Sequence, residues 1–183
     1  MSLESMLTPR KQTINRQNIV TKHQLILQFK RVVCRNYNNA VVESINCSLT
    51  KHDITKQLVL NFEFRLRKPI TDLVVNYKLL LNRSGIITKF HQMEADFCNF
   101  FDNRFDFFVV RMIAQEIRRS SNIPFECPLK KNYSYHARNF SINSKLFPQF
   151  LPNLNWSSYA NFSVHNDTVV GFYLFGSLVR KHL

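Results

Sequence analysis

The stretch from Leu58 to Arg67 limits most sharply what this chain can become. Leu58, Leu60, Phe62, Phe64 and Leu66 alternate there with Val59, Asn61, Glu63, Arg65 and Arg67. A period of two sends successive side chains to opposite faces of a strand, whereas a helix would scatter these residues around its circumference. The stretch predicts a strand with one apolar and one polar face, and so a β layer that buries a single side. Pro69 cannot donate to a ladder and ends it.

The alternation returns at Leu73, Val75, Tyr77 and Leu79, and Asn82-Arg83-Ser84-Gly85 supplies turn chemistry after it. The two stretches together read as an antiparallel meander. Further strands are expected over residues 24–33, 41–49 and 86–97, and residues 156–164 and 169–179 read as a hairpin around His165-Asn166-Asp167-Thr168. Between residues 104 and 119 the period changes. Phe105, Phe108, Val109, Met112, Ile113 and Ile117 recur at i, i+3, i+4, i+7, i+8 and i+12, one apolar stripe of a helix. Asp102 or Asn103 can cap it, and Ser120-Ser121-Asn122 with Pro124 stops it. Residues 127–150 read as polar and irregular, and Pro148 and Pro152 mark a linker. Six to eight strands and one helix make a mainly β fold, an antiparallel sandwich or cup with one amphipathic α-helix over a face or end. Residues 24–183 are expected to form one domain behind a polar, basic, disordered leader over residues 1–23.

With 25 Lys and Arg against 12 Asp and Glu, the net charge is +13, which attracts anionic surfaces and acidic partners. The cations form no run of five or six and read as solvated faces, so no nucleic acid is expected as a partner. In Asn61-Phe62-Glu63-Phe64-Arg65 the rings and charges point to opposite faces, which rules against base stacking there. The longest apolar run, residues 169–179, is too short for the roughly 20 residues of a membrane-spanning helix.

Cys34, Cys47, Cys98 and Cys127 form no C-x-x-C pair, which argues against a zinc ribbon or a thioredoxin-like site. Four cysteines allow three pairings. Cys34 with Cys47 and Cys98 with Cys127 is favoured because each closes a loop around a local unit. Seven Asn-x-Ser/Thr triplets occur where chance would give about two, which favours a glycosylating compartment. Asn82, Asn132, Asn139, Asn155, Asn161 and Asn166 are the glycosylation candidates, while Asn46 is discounted because Cys47 would crowd a glycan. Residues 1–18 are polar and basic, and the following apolar stretch is broken by Lys22 and His23, so no signal-peptide core follows. The natural start is therefore expected to differ from this one, and the protein to be secreted.

No nucleophile elbow, phosphate loop, H-E-x-x-H or EF-hand loop is present. The six histidines are dispersed. The densest group, His91, Glu94, Asp96 and Cys98, splits across two strand faces, with His91 opposite the other three. No catalytic residue, metal or cofactor is expected.

Asp96-Phe97-Cys98-Asn99-Phe100 before the helix, Ser121-Asn122-Ile123-Pro124-Phe125-Glu126-Cys127-Pro128 after it, the earlier Arg67-Lys68-Pro69-Ile70-Thr71-Asp72-Leu73 and the terminal hairpin form an ordered set. From about Phe29 onward this set resembles a large insect family of small secreted proteins with a domain of unknown function, which includes the chemosensory CheB-like proteins. The resemblance implies a fold similar to the ML lipid-recognition group of the ganglioside activator protein: an immunoglobulin-like β-cup that holds acyl chains or other apolar ligands and has neither catalysis nor a cofactor. Members of the family begin with a signal peptide, and this chain departs from them there.

The resemblance transfers no binding residues, so the cavity lining is read from the alternation and the helical stripe: Leu60, Phe62, Phe64, Leu66, Val75, Tyr77, Phe108, Met112, Phe162 and Phe172. The expected function is a secreted, non-enzymatic binding protein for a hydrophobic small molecule or lipid, in a chemosensory setting. The alternative is an extracellular interaction module with a solid core, whose basic surface meets a receptor protein or an anionic surface.

Overall fold

In a computed structural model, residues 23–98, 108–124, 126–144, 147–148 and 150–182 are described. Residues 1–22 of the leader, Phe105 and the capping candidates Asp102 and Asn103 lie outside them, while His23, read as the leader's last residue, opens the first strand. Eight strands and one helix follow in the order β1 (His23–Asn36), β2 (Val42–Lys51), β3 (Leu58–Leu66), β4 (Val74–Arg83), β5 (Ile86–Asp96), α1 (Phe108–Ser120), β6 (Ser134–Phe140), β7 (Leu154–Val164) and β8 (Asp167–His182). They form two antiparallel sheets, ordered β1-β8-β7-β4-β5 and β2-β3-β6. The fold is a mainly β sandwich with one helix.

Two sequence expectations are corrected. First, β3 and β4 are no meander: β3 pairs with β2 and β6, and β4 with β5 and β7. Alternation reveals that a segment is a strand but carries nothing about its partner. The link between them crosses from one sheet to the other and is held by the isolated pair of Ile70 with Leu129. Second, the segment read as irregular contains β6. Tyr135 and Ala137 are buried at a spacing of two, but the register then shifts and Phe140 falls out of phase, with Asn139 at a φ of 54°. One aromatic and one alanine before a phase break give too little period to recognise.

Both tight hairpins are built from positive-φ residues, as right-handed strand twist requires. Ser84 and Gly85 turn β4 into β5, and His165 and Asn166 turn β7 into β8. The sheets are closed against each other differently at their two edges. Along β1 and β2 the Cys34–Cys47 disulfide, with Cα atoms 6.0 Å apart, joins the larger sheet to the smaller. On the β5 and β6 side α1 fills the gap. Its Val110 and Ala114 pack against Val75 of β4, with Met93, Ala95 and Phe162 around them. The Cys98–Cys127 disulfide links the chain just after β5 to the chain before β6 and so brackets the helical segment. Both bridges are the locally closing pairs.

Two apolar clusters divide the interior. One end is packed around Val42, Leu66, Ile70, Leu73, Ile123, Leu129, Tyr135 and Val169. The other gathers Phe29, Leu60, Leu79, Met112, Phe140, Trp156 and Leu174. There Phe29 stands edge-on to Trp156 at 5.9 Å.

Candidate functional site: an apolar cavity between the sheets

The facing sheets do not close completely. A cavity of about 490 Å³ runs between them, within the range of about 300–1,000 Å³ typical of ligand pockets. Its floor is made by Leu66, Ile70, Leu73 and Leu129, and it reaches the surface where Phe90 and Phe150 line it while remaining exposed. That mouth lies toward the β4–β5 hairpin, opposite the end of the sandwich that carries the Cys98–Cys127 disulfide.

Alternation builds the walls. Leu60, Phe62, Phe64 and Leu66 of β3 line the cavity, while Asn61 hydrogen-bonds Thr50 outside and Arg65 approaches Glu43 at 4.0 Å. Val75 and Tyr77 line it from β4, Phe162 from β7 and Phe172 from β8, and Phe62 meets Phe172 across the sheets edge-on at 5.6 Å. Phe108 lines it from the first residue of α1. Met112 does not: it is buried beside Phe29, Leu60 and Phe140 in the neighbouring cluster. At about 100° per residue, the cavity face of α1 centres on Val109, Ile113, Ile117 and Val110, and Met112 stands at its margin.

The list read from the sequence also missed wall residues. Trp156, Leu174 and Leu178 continue the alternation of β7 and β8, a signal that was available. Phe147, Phe150 and Leu151 lie in a segment of no regular period, where Phe147 reads as an isolated aromatic anchor and nothing in the sequence marks the other two.

Polar atoms are scarce in the walls. The Tyr77 hydroxyl is hydrogen-bonded to Ser158, and burial pushes its pKa up, more than the Ser158 bond lowers it. The indole N–H of Trp156 is buried with no hydrogen-bond partner among the described residues and is packed against Gly176. Among the described residues no lysine, arginine, histidine, aspartate or glutamate lines the cavity. Such a space can accommodate hydrocarbon but cannot neutralise a charge. Among the described residues no three His, Cys, Asp or Glu come together as metal ligands, and no helix is long and apolar enough to cross a membrane.

The sequons sit on varied ground. Asn132, Asn139, Asn155 and Asn166 are exposed, and the Asn82 carboxamide accepts the N–H of Gly85 at 3.1 Å inside its turn. Asn161 is half-buried in a central strand, where its carboxamide oxygen accepts the Tyr173 hydroxyl at 3.0 Å.

No curated protein matches the chain. Among solved structures, the crystal structure of a Niemann-Pick type C2 protein from Japanese carpenter ant shares 12% identity over 82% of this chain and 90% of that one, with a TM-score of 0.31. A family model described as "Protein of unknown function (DUF1091)" matches residues 75–158. That span runs from β4 to β7 and carries the D-F-C segment, the helix and the following Cys-Pro. Over it, the chain matches the family of unknown function that those motifs resemble.

Proposed function

We propose that this protein is an extracellular, non-enzymatic carrier that holds one hydrophobic small molecule or lipid between its sheets, in a chemosensory setting. The cavity supports this reading: about 490 Å³, walled by carbon. An apolar void of about 150 Å³ already stays dry and takes up benzene. At about 24 cal/mol per Å³, a dry void of the present size would cost at most roughly 12 kcal/mol, comparable with the whole stability of an ordinary domain. An apolar occupant removes that cost. The uncharged walls that the described residues form select a ligand whose buried part is neutral, with any ionised group left at the mouth near Phe90 and Phe150.

The cavity also favours this reading over an interaction module with a solid core. The two disulfides support an oxidising compartment.

The test is native mass spectrometry of protein secreted from insect cells behind an added signal peptide, joined to a titration with a fluorescent fatty acid. Trp156 is the only tryptophan of the chain and lies in the wall, so its emission reports filling directly. One retained lipid per chain, lost on denaturation, and saturable quenching of Trp156 are expected. A protein that leaves the cell empty and stays empty after incubation with mixed lipids overturns the proposal.

A further inference from the structure

The outer face of the five-stranded sheet is unlike that of the three-stranded one. Outside β2, β3 and β6, small polar and mixed-charge residues such as Ser48, Asn61, Glu63 and Ser134 stand in the register. The outside of β1-β8-β7-β4 carries an aromatic row instead. Phe175 meets Tyr159 edge-on at 5.8 Å, Tyr159 meets Tyr173 at 5.5 Å, and the Tyr173 hydroxyl meets that of Tyr37 at 2.9 Å. Cations sit on this row. The Arg31 guanidinium lies 4.3 Å above the Phe175 ring and the Lys78 ammonium 5.6 Å above Tyr159. Arg35 hydrogen-bonds Tyr37, and Lys30 donates to Asn155 at 3.0 Å. β1, β4 and β7 contain no acidic residue, the one acid of β8, Asp167, stands at its hairpin end, and Glu94 and Asp96 lie on the same face at the β5 edge, opposite Asn76 and Val74.

We infer that this face binds a sulfated polysaccharide strand across β1, β8, β7 and β4, through Lys30, Arg31, Arg35 and Lys78 with the tyrosine hydroxyls beside them. Charge complementarity selects a polyanion, because four exposed cations share one face whose acids, Glu94 and Asp96, are confined to its β5 edge. The rings select the kind of polyanion. Arg31 covers the Phe175 ring and Lys78 the Tyr159 ring, while Tyr37 and Tyr173 bond each other through their hydroxyls, so fixed charge and hydroxyl stand over the middle of the row. A protein interface draws on desolvated aromatic anchors, and these rings serve instead as supports that hold cations in place. Guanidinium groups so held suit the paired oxygens of a sulfate. The site is independent of the cavity, since these side chains leave the sheet on the opposite side from Phe172, Leu174 and Leu178.

The experiment measures affinity for a heparin oligosaccharide, with desulfated heparin and poly-L-glutamate as comparison probes. Arg31→Ser/Arg35→Ser is set against Lys51→Ser/Lys130→Ser, a pair of exposed cations off this face that removes the same charge. The first pair is expected to weaken heparin binding about tenfold, the second less than about twofold, and Lys78→Ser is expected to behave like half of the first pair. Desulfated heparin should not bind, and poly-L-glutamate should bind without distinguishing the two pairs. Equal losses from both pairs would reduce the effect to net charge and overturn the inference. So would the absence of heparin binding, or poly-L-glutamate binding as tightly and with the same dependence on Arg31 and Arg35, which points to an acidic protein. The inference also requires Asn155 and Asn161, whose side chains share the face, to carry no glycan; a sugar mapped to either one overturns it.

Discussion

Gly176 faces Trp156 across the β7–β8 ladder, and its missing side chain is what lets the indole lie flat against β8. A Cβ added there would stand 2.5 Å from Cε2 of the indole and nearer still to Cζ2 and to the carbonyl oxygen of Gln28. Ordinary contact begins near 3.4 Å, so both neighbours would have to withdraw by about 1 Å. Neither does so freely: the carbonyl belongs to a ladder strand, and the indole is wedged against Phe29. Overpacking of this kind costs about 1–3 kcal/mol, and a distorted ladder bond adds about 1 kcal/mol. Gly176→Ala should therefore cost roughly 3 kcal/mol and lower Tm by about 10 °C. Because the indole's free direction is into the cavity, the variant should also bind the fatty probe more weakly and shift Trp156 emission in the empty protein.

Gly171→Ala is the internal control. Its added carbon would meet the far ends of Tyr173 and Tyr37, which can swing toward solvent, and its cost should stay below about 1 kcal/mol. Urea unfolding followed by tryptophan fluorescence checks both variants. Equal stability of the two, or an unchanged emission spectrum for Gly176→Ala, would refute the account of the Trp156 wall.

Removing the bridges should weaken the fold by amounts that follow loop length. Replacing Cys34 and Cys47 by serine opens a separation of 13 residues and Cys98 with Cys127 one of 29, about 3 and 3.6 kcal/mol in the chain-entropy relation, measurable by denaturant titration. Ser158→Ala should cost about 1–3 kcal/mol by leaving the buried Tyr77 hydroxyl without its partner, and adding Tyr77→Phe should recover part of that loss. Alkaline titration followed by tyrosinate absorbance should show an early step from Tyr37, whose bond to Tyr173 and nearby Arg35 lower its pKa, and this step should vanish in Tyr37→Phe. Tyr173 is pushed up to about 12 by burial, with its bond to Tyr37 adding to the shift. The unfolded chain releases that proton near pH 10, so Tyr173 supports the fold below pH 10 and its contribution is lost as pH rises to about 12. A Tm that does not fall across that window would contradict the assignment.

Much of the fold was legible where one physical signal dominated. The strand read from Leu58 to Arg67 matches β3 to within one residue, and the turn chemistry of residues 82–85 and 165–168 marks real hairpins, because half-buried strands and positive-φ turns leave local signatures. Strand pairing was not legible, since β3 finds β6 about 75 residues away through contacts that no local pattern encodes. The cavity walls followed the alternation on β3, β4, β7 and β8. The helix contribution was blurred because a 3.6-residue repeat does not say which part of an apolar stripe faces the void, and Met112 was misplaced for that reason. Phe150 and Leu151 were invisible, and Phe147 was legible only as an isolated anchor, because a mouth made of irregular chain has no period.

The placement of the two disulfides makes the sandwich mechanically unequal from end to end. Cys98–Cys127 lies at the floor, where Leu66, Ile70, Leu73 and Leu129 are closely packed, Cys34–Cys47 stands at mid-wall in register with Phe172 and Phe62, and neither is at the rim of Phe90 and the β4–β5 turn. Breathing of the two sheets is therefore graded, small at the stapled base and larger at the rim. Amide exchange should be slowest in β3 and in the middle of β8 and fastest around the β4–β5 turn. A bound chain would slow exchange most at the rim, so filling the cavity would read out as damping of a motion rather than as a change of shape.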